Sequence, residues 1–161
     1  MSATTTNETR IEADPMLPTI RIVRDFDAPP EKVFRAWTDP VLVAQWLGPR
    51  SITTDITSWD ASTGGSYRYA SLRDGVVIAT FYGSFHEVRP NERLVQTFTY
   101  EGFPDGVSLE TMTFEDLGGG RTRVTGLSVV DTMEARDMIM ASGMDSGVIE
   151  GYEKLDALLA D

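Results

Sequence analysis

The chain has no cysteine and only one histidine, His86, among its 161 residues. Without cysteine there is neither a disulfide framework nor a thiolate nucleophile. A lone histidine is too little for a zinc site, so no metal is expected, and no cofactor. Positive charge is scarce: 14 Lys and Arg stand against 25 Asp and Glu, a net charge of -11. Such a surface repels phosphate, which argues against nucleic acid or an anionic membrane as partner. No apolar run approaches the roughly 18 residues of a spanning helix. Residues 1–17, MSATTTNETRIEADPML, lack the apolar core of a signal peptide. They read as a loose tail ahead of a single domain at 18–161, and the default location is the cytoplasm. There is no G-x-S-x-G nucleophile elbow. Strand and helix patterns do not alternate as a parallel doubly wound sheet requires.

No proline follows Pro104, and the end of the chain is its organising element. Asp131–Leu159 reads as one long amphipathic helix. Asp131 stands at the cap, with Glu134 three residues later at a capping-box spacing. Met140, Gly143, Met144, Gly147, Gly151, Leu155 and Leu158 recur at three- and four-residue steps and share one stripe. Glu153 and Asp156 point away from it. A glycine inside a helix costs about 0.8–1 kcal/mol relative to alanine, so the glycines need a reason. Either the backbone packs closely against the sheet, or missing side chains leave room for a ligand beside the adaptable Met140 and Met144.

Thr19–Phe26 alternates apolar and polar residues and reads as a first strand. Asp27-Ala28-Pro29-Pro30 turns the chain into a short helix whose buried side is Val33, Phe34 and Trp37. Thr38-Asp39-Pro40 starts a second, which ends at Gly48-Pro49. Six strands follow: Ile52–Trp59, Ser66–Leu72, Val76–Val88, Leu94–Tyr100, Ser108–Glu115 and Arg121–Val129. Their turns carry Gly64-Gly65, Asp74-Gly75, Pro90-Asn91 and Gly118-Gly119-Gly120. The fold class is therefore α+β, a curved antiparallel sheet of about seven strands with one face covered by the long closing helix.

The segment RDFDAPPEKVFRAWTDPVLVAQWLGP resembles the opening of the START-like, helix-grip superfamily. Within it, the resemblance is to the family named after the C-terminal domain of the activator of the heat-shock-protein-90 ATPase. Gly64-Gly65 before a strand, Gly83 before Val88-Arg89-Pro90, Gly120-Arg121-Thr122 and Gly151-Tyr152 agree with it. The resemblance spans Thr19 to Leu159. It implies a helix-grip fold with a deep cavity between sheet and helix, and it carries over no catalytic residue.

His86, in FYGSFHEV, is either a cavity base or an exposed strand histidine; Phe85 and Val88, three apart, hint at a bulge. Ser84 lies roughly 7 Å along the same strand, which does not suit a Ser–His pair. Glu110 alternates with Met112 and Phe114 on the more apolar face of its strand. A carboxylate there needs a partner, for which Arg68 and His86 are the candidates, or a raised pKa. Tyr69, Gln96 and Phe98 are further wall candidates, and Trp46 is the choice for an entrance residue. The leading expectation is a module that binds a small hydrophobic or aromatic molecule. The candidate wall is Trp46, Tyr69, His86, Gln96, Phe98, Glu110, Met112, Met140, Met144 and Gly147. A metal-independent cyclase- or hydrolase-type enzyme using Glu110 or His86 is the alternative. A co-chaperone-like interaction module is the second, and a homodimer fits all three.

Overall fold

The computed structural model describes residues 7–161. Eight strands form one antiparallel sheet: β1 (Arg10–Ala13), β2 (Thr19–Phe26), β3 (Thr53–Trp59), β4 (Ser66–Arg73), β5 (Val76–Arg89), β6 (Arg93–Tyr100), β7 (Ser108–Gly118) and β8 (Arg121–Val129). Their spatial order is β1-β2-β8-β7-β6-β5-β4-β3. Strands β3 to β8 are a meander, and β2 returns beside β8, so the two ends of the domain meet in the sheet. Register shifts in the β3–β4, β4–β5, β5–β6 and β7–β8 ladders add the twist that curves it. The expected count was about seven strands. The extra one, β1, pairs Arg10–Ala13 with Ile20–Val23 inside the stretch read as a tail. The first six residues of that stretch lie outside the described residues.

Two short helices, α1 (Pro30–Thr38) and α2 (Pro40–Trp46), follow β2. Each opens on a proline, whose missing N–H would have no partner there. Asp39 caps α2 by accepting the Val41 N–H at 2.9 Å. Their buried residues, Phe34, Trp37 and Trp46, meet Phe26, Phe114 and Tyr152. Ring centroids there are 4.8–6.0 Å apart, mostly edge to face.

The closing segment is not one helix. It is α3 (Met133–Ala141) and α4 (Met144–Leu159), broken where Gly143 takes φ +85°, a left-handed conformation that suits glycine. Ser142 bonds back to the Ile139 carbonyl at 2.6 Å and ends the first piece. The cap is Thr132, which accepts the Ala135 N–H at 3.0 Å, and not Asp131. The apolar stripe continues through the break in sequence, which is why periodicity alone reads it as continuous.

Arg24 and Asp156 hold α4 to the sheet. Arg24 shares the inner face of β2 with Ile20, Ile22 and Phe26 and is 2% exposed. Its guanidinium grips both Asp156 oxygens, at 2.9 and 2.5 Å, and lies over the Phe26 ring. Asp156 thus faces the sheet, contrary to its expected outward position. Helix α3 is held otherwise: its one buried residue, Arg136, donates to the carbonyls of Asp14, Leu17 and Thr19 at 2.7, 3.0 and 3.2 Å. The interior is solid beneath the C-terminal half of α4, where Leu155 and Leu159 are buried, and hollow beneath its N-terminal half.

Candidate ligand-binding site

A cavity of about 370 Å³ lies between the N-terminal half of α4 and the concave face of the sheet. That is within the usual range for small-molecule sites, about 300–1,000 Å³. Helix α4 contributes Met144, Gly147, Val148 and Gly151, and α2 closes one end with Val43 and Trp46. The sheet supplies Ile22, Tyr69, Phe81, Phe98, Met112 and Gly126. All three tryptophans, Trp37, Trp46 and Trp59, line it.

The helix glycines divide between the two expected roles. A Cβ on Gly151 would stand 2.9 Å from the Trp46 carbonyl oxygen and 3.4 Å from that of Gly48. Gly151 is there for close backbone packing, against the end of α2 and not the sheet. A Cβ on Gly147 would meet only Pro49 Cδ, at 3.5 Å, so this glycine leaves open space on the cavity wall.

A polar row crosses the largely apolar floor. Gln96 on β6 stands opposite Glu110 on β7, and Glu110 opposite Ser128 on β8. The Ser128 hydroxyl bonds to Glu110 Oε2. Glu110 keeps some accessible surface because it faces the cavity, yet protein surrounds it on every other side. Burial pushes its carboxyl above the usual carboxylate range, opposed by hydrogen bonding to Ser128 and by nearby Ser108. Among the described residues no Lys, Arg or His lines the cavity. The phenols of Tyr67, Tyr69 and Tyr152 are raised by burial, and the Glu110 charge adds to each. Tyr67 donates to the Thr97 carbonyl at 2.6 Å and receives the Gln96 amide at 3.3 Å. Its ring end passes over Gly83, where a Cβ would sit 2.6 Å from the hydroxyl.

Of the ten candidate residues, Trp46, Tyr69, Gln96, Phe98, Glu110, Met112, Met144 and Gly147 line this cavity together; His86 and Met140 do not. His86 is the extra residue of a bulge between the Phe85–Gln96 and Glu87–Val95 pairs, and it is exposed. Phe85, fully buried, takes the inner face, so its neighbour points out. Met140 yields its place to Ile139 because the break at Gly143 resets the helix phase. Trp46 is not at an entrance: it is 5% exposed, and its indole N–H donates to the Ala36 carbonyl at 2.8 Å. Arg68 does not reach Glu110 and instead pairs with Glu101 on the outer surface. The Glu110–His86 acid–base pair therefore does not form. Ser108, Ser128 and Tyr152 were missed. Ser108 shares strand parity with Glu110, a signal present in the sequence; Ser128 depends on register between strands.

A curved antiparallel sheet gripping a C-terminal helix over an internal cavity defines a START-like, helix-grip domain. Residues 27–160 match the family described as activator of Hsp90 ATPase homolog 1-like protein, and the chain belongs to that family. It is similar to the crystal structure of a Rhodobacter sphaeroides protein, with 28% identity over 95% of this chain and 99% of that one, at a TM-score of 0.85. An Arthrobacter aurescens protein solved by NMR is 26% identical over 94% and 91% of the two chains, also with a TM-score of 0.85. A Chromobacterium violaceum protein is 28% identical over 89% and 98%, with a TM-score of 0.75. No curated protein is significantly similar to this chain. Among the described residues no helix is long and apolar enough to cross a membrane.

Proposed function

We propose that this protein binds one small hydrophobic or aromatic molecule in the cavity between sheet and α4. The observation that carries the reading is the cavity itself: about 370 Å³, walled largely by aromatic rings and methionines, with the polar row Gln96, Glu110 and Ser128 on its floor. Burial of apolar ligand surface supplies affinity at roughly 25 cal/mol per Å2 before ordering costs. Gln96, Glu110 and Ser128 orient the polar end. Gly147 supports the same reading, since its missing side chain leaves space where the ligand would lie.

Tryptophan fluorescence tests this directly, because every tryptophan of the chain lines the cavity. Titration with a small naphthalene-type molecule should give a saturable change that Gly147→Leu abolishes. A linear, non-saturating response, or one that the variant leaves intact, would count against binding at this site.

A further inference from the structure

Several polar groups of the cavity wall are taken up by protein. The Trp46 and Trp59 indoles donate to the carbonyls of Ala36 and Thr38 at 2.8 and 2.7 Å. Thr54 donates to the Leu47 carbonyl at 3.0 Å. Gln96 and Glu110 are engaged on one side only. Tyr67 gives its hydroxyl proton to the Thr97 carbonyl at 2.6 Å, so toward Gln96 it can only accept. Gln96 Nε2 therefore faces Tyr67, at 3.3 Å, and its Oε1 is turned away. Glu110 is pinned on its opposite flank: the Ser128 hydroxyl bonds to Oε2, and Oε1 is left over.

Among the described residues neither of these two oxygens receives a hydrogen bond. Nor are they fully enclosed: the enclosed side-chain atoms without a partner are Arg93 Nε and Ser108 Oγ. Gln96 Oε1 and Glu110 Oε1 therefore keep accessible surface, and both side chains line the cavity. Gln96 and Glu110 are direct partners across β6 and β7, a placement that sets their Cβ atoms about 4.5–5.5 Å apart. Two acceptors thus stand side by side on the floor. Tyr69 and Tyr152 bring phenols to the same cavity, and neither bonds to these oxygens. An acceptor that has lost water and found no donor is costly, so a donor is expected from the ligand. A hydroxyl suits the pair. It donates to either oxygen, and it also accepts, so it fits whether the Glu110 carboxyl keeps or loses its proton. A ketone or ether brings a third acceptor and leaves Gln96 Oε1 unpaired in either state. A cation would give up its hydration among aromatic walls, with one carboxyl as its sole counter-charge.

Resting on the cavity reading above, we propose that the ligand is a phenol or alcohol on an apolar ring system, whose O–H donates into the pair formed by Gln96 Oε1 and Glu110 Oε1. The rings lie against the aromatic and methionine wall, and the hydroxyl marks the end of the ligand that faces β6 and β7.

Four molecules with the same ring and point of attachment separate the possibilities: naphthol, methoxynaphthalene, methylnaphthalene and the cationic naphthylmethylamine, each titrated calorimetrically near neutral pH. Naphthol should bind about tenfold more tightly than methylnaphthalene, the worth of one to two net hydrogen bonds. Methoxynaphthalene, which accepts but does not donate, should gain nothing over the hydrocarbon. Gln96→Leu and Glu110→Leu should each shrink the naphthol advantage to about threefold or less and leave methylnaphthalene binding in place. Thermal melting shows that each variant is folded, and the ligand series on the parent protein stands without them. Methoxynaphthalene binding as tightly as naphthol would overturn the proposal, since an acceptor would then suffice. Preference for the amine would overturn it in favour of a carboxylate that pairs with a cation. Equal binding of naphthol and methylnaphthalene would refute the anchor and leave the cavity reading intact. Failure of all four to bind saturably would remove both.

Discussion

Gly147 and Gly151 stand one helical turn apart on α4, and alanine should act on them with opposite signs. At Gly147 the new methyl meets only Pro49 Cδ at 3.5 Å, an ordinary contact. The variant should gain about 0.5–1 kcal/mol from the lower backbone entropy of the unfolded chain. At Gly151 the methyl lies 2.9 Å from a backbone oxygen of Trp46, so α2 or α4 must move. Overpacking of this kind costs about 1–3 kcal/mol. The helix-propensity gain offsets up to about 1 kcal/mol of it, for a net loss of up to about 2 kcal/mol. For a chain of this size 1 kcal/mol moves the thermal midpoint by about 2–4 °C, so calorimetry on the two variants resolves the signs. Gly147→Leu carries the contrast further, filling the cavity from the helix side with only a moderate change in stability. A midpoint that falls at Gly147→Ala as far as at Gly151→Ala would refute the reasoning, because it would mean that no space exists at the cavity wall.

Three further outcomes follow from charged groups. The Glu110 carboxyl is raised by burial in the folded state, so its contribution to stability is present below the ordinary carboxylate range and lost as pH rises through its native value. Glu110→Gln should therefore gain stability relative to the parent as pH rises, read by thermal melts across pH; a constant difference would contradict the burial. Asp25 is held below its usual value, first by its hydrogen bond from Arg123 at 2.8 Å. Its contribution is present above the ordinary carboxylate range and lost as pH falls through the depressed value, so the deficit of Asp25→Asn should shrink on acidification. Arg136→Ala removes a side-chain donor from three carbonyls, of which those of Leu17 and Thr19 keep a backbone N–H, and should loosen α3 locally, by about 1–3 kcal/mol. Hydrogen exchange should then quicken over Met133–Ala141 and stay slow in β7 and β8; unchanged protection of α3 would show that other contacts hold it.

Strands were legible because their signals are local. Alternation and glycine turns marked β4 as Ser66–Leu72, and the structure extends it by one residue to Arg73. Glu110 was legible too, as a carboxylate on an apolar face. Its true neighbours were harder, since Ser128 reaches it only through the β7–β8 register, a non-local property. His86 could not be assigned a face from alternation, because only the inward packing of Phe85 decides it. Arg24 looked like an ordinary polar position in TIRIVRDF, yet it is buried because Asp156, 132 residues away, supplies its partner. The break at Gly143 was invisible to periodicity, since Met140 and Met144 keep helical spacing across it. In each case the deciding contact lies between elements distant in sequence.

The most direct measurement is native mass spectrometry of the protein purified from its own host, followed by denaturing extraction. The expected result is a recurring mass increment for one small hydrophobic or aromatic molecule, released only on denaturation and absent from Gly147→Leu. Parent protein that is uniformly empty, or an increment that persists in Gly147→Leu, would contradict binding in the cavity beneath α4.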